Sequence, residues 1–591
     1  TGRKKVTVSE YIVKYLKACG VTHYFGYQGT MIAYFVDAIY RETGVYNHVS
    51  YNEQGAALAA SGFTKATGNM AVAYATSGPG AINLLQGIAD AYYDSAPVLF
   101  ITGQINLSEY TFFPHLRQQG FQQTDIVSIC SSITKNAIMV TSTAELPNIL
   151  DSLVTKMLSG RMGPALLDIP MDIQRAQIDI PIDLNKNPFS SVFQKTDCDD
   201  ALKIAMAIFT TLKKSKRPVL LLGNGISKNE VTRKNVWALI NKLQIPVVTT
   251  LLAKDLIPFD SKYNFGMLGY AYGHRYANMI VNTKADLIIT LGARLCPRQT
   301  GIKTTEFAKD AHIIRVDIDK EELNRRIHFD EMAYCSDVNT VIDEMLKINY
   351  ILNSGEWLNV CNQIKNLLQT VDTGKDYRKP NEVIQMIGNA LPEECTVACD
   401  VGQHQMWVAQ SFENKKNQRI LFSGAHGAMG FALPAAIGAY YGKHKIPVCI
   451  AGDGAFQMNI QELQWVVQEN IPIKIIILNN HSLGLIRQQQ STMLAKHFYG
   501  SVAEYGYSAP AFCSVASAYG MRTIKCEGKE ILSGDIHCQL RSLLQNESDS
   551  VLLEIELGID TYAYPKTSFG RSMHDQNPPI PEKLLKKIML L

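Results

Sequence analysis

At 591 residues the chain is too long for one hydrophobic core, so several domains are expected. Its composition, 46% hydrophobic and 19% charged, is that of an ordinary folded protein, and a formal net charge of +3 gives no reason to expect nucleic acid or an anionic membrane as partner. No apolar run reaches the roughly 18 residues that a membrane helix needs. The basic start, Thr1-Gly2-Arg3-Lys4-Lys5, leads into a stretch broken by Ser, Glu and Lys, which does not read as a signal peptide. Twelve cysteines lack metal-type spacing, since Cys395 and Cys399 have three residues between them and no nearby His. They read as buried thiols in a reducing, cytoplasmic setting.

In chain order, short apolar β-branched runs alternate with amphipathic helical stretches, the pattern of parallel α/β sheets. Tyr51-Asn52-Glu53-Gln54-Gly55-Ala56-Ala57 sets a carboxylate where a strand gives way to an Ala-rich helix. An isolated Glu there needs no more than the helix dipole to account for it. A strand at 70–75 leads into the turn Thr76-Ser77-Gly78-Pro79-Gly80-Ala81-Ile82-Asn83, and another strand is expected at 98–102. The polar run at 181–197 reads as a connection, and strands at 218–222, 285–291 and 313–318 follow it. A second polar run, at 370–380, reads the same way. Cuts near 185 and 370 give three doubly wound α/β domains, at 1–185, 190–365 and 375–591.

The third segment carries the strongest chemical signal. Val448-Cys449-Ile450-Ala451-Gly452-Asp453-Gly454 is followed, after 24 residues, by Asn479-Asn480. A strand at 448–451 places Asp453 at the carboxyl edge of a parallel sheet, where such folds bind ligands, and a strand at 473–478 delivers Asn480 to the same edge. Residues 459–468 read as a helix whose N-terminus favours an anion such as a diphosphate. A carboxylate, a carboxamide oxygen and a backbone carbonyl, that of Ser482, suit Mg²⁺. A lone Gly-Asp-Gly is more often a plain turn; the spacing and strand context raise it above that. Asp400-Val401-Gly402-Gln403-His404-Gln405 offers further diphosphate contacts. Ser423-Gly424-Ala425-His426-Gly427-Ala428-Met429-Gly430 combines close backbone approach with one adaptable apolar side chain. Each of these two segments, taken alone, reads equally well as a structural loop.

Taken together these segments resemble the thiamine-diphosphate enzymes of the acetohydroxyacid (acetolactate) synthase and pyruvate oxidase group over nearly the whole chain. Further matching segments are Asp125-Ile126-Val127, Gly266-Met267-Leu268-Gly269, Gly292-Ala293-Arg294 and Gln457-Met458-Asn459-Ile460-Gln461-Glu462-Leu463. The resemblance implies a pyrimidine-binding first domain, a central FAD-type domain and a third domain holding diphosphate and metal. It implies that Glu53 hydrogen-bonds the aminopyrimidine and favours its imino tautomer, that Met429 props the cofactor bent, and that the Gly427 carbonyl holds its exocyclic nitrogen. Gln122 joins Glu53, Gly427 and Met429 as a catalytic position. Gly29, Gly402, Gln403, His404, Gly452, Gly454, Ala455 and Gly484 are implied as cofactor contacts, and Asp453, Asn480 and Ser482 as metal ligands. FAD is implied by Gly223-Asn224-Gly225, Arg294 and Val316-Asp317-Ile318-Asp319, although several relatives keep this domain without a flavin. Glu53 and Asp453 would meet across two copies, in a homodimer or dimer of dimers.

The donor implied is pyruvate, and the acceptor stays open. Arg298 corresponds to the family's acceptor-carboxylate Arg and can clamp such a group bidentately; an Arg on the surface or against FAD is the plainer reading. The family's acceptor-selecting Trp falls at Gln489. The stretch after Gln104, up to Gly120-Phe121-Gln122-Gln123, is longer than usual and carries Tyr110, Phe112, Phe113 and His115, with Phe121 implied as a substrate contact. The tail Tyr564-Pro565-Lys566-Thr567-Ser568-Phe569-Gly570-Arg571 also departs from the family and more weakly resembles acetolactate-synthase-like proteins encoded with surface-sugar pathways. These departures suit a nucleotide-linked ketosugar as acceptor in place of a second 2-keto acid. An FAD-linked pyruvate oxidase is a further alternative, and a non-catalytic paralogue is ranked last because Glu53, Asp453 and Asn480 are intact.

Overall fold

The computed structural model describes residues 5–110, 116–180, 199–350, 354–369, 379–568 and 570–591. The first sheet contains β2 (His23–Gly26), β3 (Tyr46–Val49), β4 (Ala71–Ala75), β5 (Val98–Gln104), β6 (Asn136–Met139) and β7 (Ala165–Pro170), all parallel in the order β3-β2-β4-β5-β7-β6. It is bordered by a small antiparallel pair, β1 (Lys5–Thr7) and β8 (Gln177–Asp179). The second sheet runs β11-β10-β9-β12-β13-β14, formed by β9 (Pro218–Leu222), β10 (Val247–Thr249), β11 (Asn264–Met267), β12 (Leu287–Leu291), β13 (His312–Asp317) and β14 (Glu331–Cys335). The third runs β16-β15-β17-β18-β20-β19, from β15 (Cys395–Cys399), β16 (Arg419–Phe422), β17 (Ile446–Gly452), β18 (Lys474–Asn479), β19 (Arg522–Glu527) and β20 (Val551–Glu556). A last antiparallel pair, β21 (Lys566–Thr567) and β22 (Gln576–Asn577), belongs to the tail. Among the described residues no helix is long and apolar enough to cross a membrane.

The central strands are apolar on both faces because helices cover both sides. In β4 and β5, Ala71, Ala73, Val98 and Phe100 enter one core, while Val72, Leu99 and Ile101 enter another. β9 and β12 divide in the same way, with Leu220 and Ile289 on one side and Val219 and Ile288 on the other. One core is shared between the first and third sheets. It is built around α1 (Glu53–Thr67), from the first unit, and α3 (Ala432–Lys443), from the third; α2 (Gln403–Ser411) and α4 (Gly484–Met493) are the other helices that matter here. Small residues let α1 and α3 touch backbone to backbone: a Cβ on Gly438 would stand 1.9 Å from the Ala59 carbonyl oxygen, and one on Gly62 2.4 Å from that of Ala435.

The α/β expectation holds, and every expected strand is present with ends shifted by a residue or two. The helix expected at 459–468 is corrected. A single helical turn, Asp453–Phe456, follows β17 directly, a 3₁₀ stretch spans Gln457–Glu462, and α-helix is confined to Leu463–Gln468. Asn459 leaves the helical region (φ −134°, ψ 32°) because its side-chain amide donates to the Gly430 carbonyl at 2.8 Å. The anion-binding argument drawn from that helix therefore falls. The run at 181–197 and the run at 370–380 lie outside the described residues, except for Lys379 and Pro380, which open the helix Lys379–Ala390. The described cysteines are free thiols, most of them buried.

Candidate active site

β15, β17 and β18 are parallel neighbours, with Cys399 opposite Ile450 and Gly452 opposite Leu478, so the loops after all three leave one edge of the third sheet. Asp453 is buried there, and its Oδ2 has no hydrogen-bond partner among the described residues. Burial pushes its carboxyl up to about 6, opposed by the neighbouring Tyr507 hydroxyl and the Gly454 N–H. The Asn480 amide is oriented by Nδ2, which donates to Thr561 Oγ1 at 2.8 Å and to Gln403 Oε1 at 3.2 Å, while Oδ1 accepts from the Ser482 N–H at 3.3 Å. Ser482 Oγ and His404 Nε2 are also buried without partners, and burial pushes His404 down to about 3, so its imidazole is neutral. A buried carboxylate oxygen lacking a donor is unfavourable unless a cation meets it. Among the described residues no group of three or more His, Cys, Asp or Glu side chains is placed to hold a metal ion by itself. One carboxylate with neutral oxygens is a donor set that fits Mg²⁺ sharing its shell with a diphosphate.

The glycines of this edge have no room for a side chain. A Cβ on Gly452 would lie 2.8 Å from His404 Nδ1, on Gly454 2.5 Å from Leu483, and on Gly484 2.2 Å from Gln403 Oε1. Gly402 opens α2, where a Cβ would meet His404 at 2.6 Å, and Ala455 is buried in the turn after Asp453. Asp400 serves the backbone: Oδ1 accepts from Val401 N–H and Gly430 N–H at 2.8 and 2.9 Å, and Oδ2 from Ala432 N–H at 2.8 Å. It thereby fixes the loop carrying Gly427 and Met429. Gly427 has φ +72° with open space at its Cβ position, and half-buried Met429 accepts at its carbonyl from Gln86 Nε2 at 3.1 Å.

A second group gathers at the edge of the first sheet. Asn52 caps α1 by accepting from the Gln54 N–H at 2.8 Å, and Glu53, the next residue, accepts at Oε2 from Asn83 Nδ2 at 3.0 Å. A Cβ on Gly80 would approach Glu53 Oε1 to 3.0 Å, one on Gly29 would meet Thr76 at 2.5 Å, and one on Gly78 would meet the Gln122 carbonyl at 2.9 Å. Gly29, Glu53 and Gln122 thus all stand against the turn at 76–80. Phe121 beside them is 79% exposed. Phe112, Phe113 and His115 lie outside the described residues, while the Tyr110 hydroxyl accepts from Gln123 Nε2 at 3.0 Å.

No hydrogen bond or ion pair joins Glu53 to Asp453 or Asn480 among the described residues. Glu462, which the motif reading did not single out as a functional group, reaches from the third unit to the Glu53 side. Its Oε2 accepts from the Tyr51 N–H at 3.1 Å, and its buried Oε1 has no partner. Burial, with the nearby Glu53 charge, pushes it up to about 8. The motif that contains it signals only a strand-to-helix turn, and its partner lies far away in the chain. Thr561 and Gln488 were missed for the same reason.

Between the second sheet and its neighbours lies a cavity of about 500 Å³. Asn224, Gly225, Gly292, Arg294 and Asp317 line it, so the residues read as FAD-type do converge. Arg294 is held by Glu322 at 3.4 Å, and Arg161 by Asp319 at 3.2 Å, which leaves paired cations and half-buried Asp317 around a largely apolar space. That chemistry fits a dinucleotide. Arg298 lines the same cavity with its side chain largely exposed, and its Nη1 donates to the Tyr272 hydroxyl at 3.0 Å. Gln489 is exposed on α4.

Three family models match the chain. Thiamine pyrophosphate enzyme, N-terminal TPP binding domain, covers residues 6–129; the central domain covers 206–345; and the C-terminal TPP binding domain covers 400–555. The chain is 33% identical over 574 residues to the acetolactate synthase large subunit of Lactococcus lactis subsp. lactis (strain IL1403), covering 96% of this chain and 95% of that one. It is 34% identical over 543 residues to the acetolactate synthase isozyme 2 large subunit of Escherichia coli (strain K12), covering 90% and 93%. It is 32% identical over 584 residues to acetolactate synthase 1, chloroplastic, of Zea mays, covering 96% and 88%.

Proposed function

The chain belongs to the acetolactate synthase large-subunit family of thiamine pyrophosphate enzymes, and from that premise we propose how its own residues carry the reaction. It is a thiamine-diphosphate-dependent carboligase of the acetolactate synthase type. The observation that carries the assignment of the site is the convergence of buried Asp453, whose Oδ2 lacks a hydrogen-bond partner, with Asn480, Ser482 and glycines that exclude a Cβ. When bound, thiamine diphosphate supplies the electron sink that stabilises the carbanion left after pyruvate loses CO₂. Asp453, Asn480 and the Ser482 carbonyl hold Mg²⁺, while His404 and the backbone at Gly452, Gly454 and Gly484 close around the diphosphate. Asn83 fixes Glu53 Oε2, leaving Oε1 to exchange a proton with the pyrimidine ring. Met429 gives the cofactor an apolar support, and the open backbone at Gly427 lies beside it. Gln122 and Phe121 stand on the substrate side of the Glu53 wall.

Glu53 of one copy and Asp453 of a second are assigned to the same site, so a homodimer is the smallest working unit. The central cavity is assigned to FAD, and the free thiols suit a cytoplasmic setting. The first acceptor reading is a second 2-keto acid whose carboxylate meets the Arg298 guanidinium. A nucleotide-linked ketosugar is the second reading, favoured by exposed Gln489 on α4. Pure protein incubated with pyruvate, thiamine diphosphate and Mg²⁺ is expected to release CO₂ and form a C–C-bonded product. Peroxide or a reduced acceptor in its place would make the chain an oxidase, and no turnover would leave it a non-catalytic paralogue.

A further inference from the structure

The amide and hydroxyl side chains beside Asn480 form a chain of hydrogen bonds that runs in one direction. It starts at backbone groups that cannot exchange roles. In the tail that follows β20, the Ala563 N–H donates to Gln488 Oε1 at 2.9 Å and the Ala563 carbonyl accepts from Gln488 Nε2 at 3.2 Å, so the Gln488 amide has one orientation. Gln488 Oε1 also accepts from Gln403 Nε2 at 3.0 Å, and that nitrogen donates to the Thr561 carbonyl at 3.0 Å as well. Gln403 Oε1 is thereby turned toward Thr561 and Asn480. It accepts from the Thr561 hydroxyl at 2.9 Å, which uses the only proton that hydroxyl has. The Thr561 oxygen can then only accept, and it does so from Asn480 Nδ2 at 2.8 Å. Gln403, Asn480, Gln488 and Thr561 are between 2% and 6% exposed, which keeps bulk water from standing in for a lost partner.

The far end of this chain bears on the cation. With Nδ2 turned to Thr561, Asn480 Oδ1 points the other way, accepts from the Ser482 N–H at 3.3 Å and keeps a lone pair. The reversed amide would set an oxygen where Nδ2 now lies, 3.2 Å from Gln403 Oε1 with no proton between them. It would also offer the metal an NH₂ group in place of the oxygen that a hard cation requires. Resting on the reading of Asp453, Asn480 and Ser482 as the Mg²⁺ site, we propose that Thr561 is a positioning residue of that site. Its hydroxyl passes the direction set by the Ala563 backbone to the Asn480 amide and keeps Oδ1 toward the cation. The tail segment 561–563 thus belongs to the metal site, although Thr561 gives the metal no atom of its own.

The test reads metal binding without turnover, using Mn²⁺ in place of Mg²⁺ and electron paramagnetic resonance to follow the free ion. Wild type, Thr561→Ser and Thr561→Val, each as the whole chain, are titrated with and without thiamine diphosphate. Wild type is expected to bind Mn²⁺ in a cofactor-dependent way. Thr561→Val keeps the shape of the side chain and loses the hydroxyl, and should bind Mn²⁺ about tenfold more weakly. Thr561→Ser keeps the hydroxyl and should stay within about twofold of wild type. Where the valine variant does not fold, Thr561→Ala takes its place with the same expected loss. A role in packing alone reverses the order, because Ser lacks the methyl group that Val retains. Mn²⁺ bound equally well by wild type and Thr561→Val, or more weakly by Thr561→Ser than by Thr561→Val, overturns the role of Thr561 and leaves the metal site standing. Absence of cofactor-dependent Mn²⁺ binding in wild type overturns the site itself, and the role of Thr561 with it.

Discussion

Glu53 has one side-chain hydrogen bond, from Asn83, on an otherwise half-buried carboxylate, so replacing it disturbs little besides proton exchange. Glu53→Gln is expected to bind thiamine diphosphate nearly as wild type and to turn over about 10²–10⁴-fold more slowly; calorimetry beside product formation checks both halves. Asp453 behaves otherwise, because its Oδ2 is buried without a donor. Asp453→Ala should stabilise the cofactor-free protein by about 1–3 kcal/mol. It should also abolish the stabilisation that cofactor and Mg²⁺ give wild type, about 2.7 kcal/mol at a hundredfold excess over Kd. Denaturant melts with and without ligand separate the two effects, and an unchanged ligand effect would move the metal elsewhere. Asp453, Asn480 and the glycines were legible because each follows a strand at fixed spacing. Glu462 and Thr561 were not, since Tyr51 and Asn480, the groups they bond, are distant in sequence. Asp400 read as a ligand contact, yet its oxygens are taken by backbone N–H groups that neighbour it only in the fold.

At the level of elements, the pairing of α1 with α3 decides where Glu53 stands. The sequence announced an Ala-rich helix after Glu53, but not that its small residues serve a contact with a helix far along the chain. Gly438→Ala puts a methyl 1.9 Å from the Ala59 carbonyl oxygen, a backbone atom that cannot rotate away. The two helices must separate, which is expected to lower stability by about 1–3 kcal/mol. Activity should fall further than stability alone explains, because Glu53 starts α1. Thermal midpoint and kcat, measured on the same preparation, test this; a variant as stable and as active as wild type would show that the pair tolerates separation. The 3₁₀ stretch at Gln457–Glu462 marks the limit of periodicity as a guide. Its apolar spacing suits a helix, but a side-chain bond from Asn459 to Gly430 overrides it.

Across the whole molecule, the first and third units also meet through a histidine cluster. His23 Nδ1 and His48 Nε2 are 2.8 Å apart, His48 stacks on Tyr441 at 3.6 Å, and Tyr46, Phe63 and His444 complete the surroundings. Burial, then neighbouring histidine charge, pushes His23 down to about 4 and His48 down to about 3. Both are near 6.5 when unfolded. Their contribution is therefore complete above about pH 6.5 and is lost as pH falls toward their folded values, where the unfolded chain binds the extra protons. Stability of wild type should drop faster than that of His48→Phe between about pH 6.5 and 4, by up to about 1.4 kcal/mol per pH unit. Parallel denaturation curves for the two proteins would contradict the assignment. The tail, meanwhile, returns to the middle sheet: Ile588 is buried in the core that holds Phe265 and Ile280, Arg275 donates to the carbonyls of Gln576 and Pro578, and Lys284 to that of Met589. A ribosome releases the middle unit well before those residues exist. During synthesis that unit therefore waits with part of one face uncovered until the whole third sheet has been translated, and its outer layer is completed by the segment made after every strand of the three large sheets.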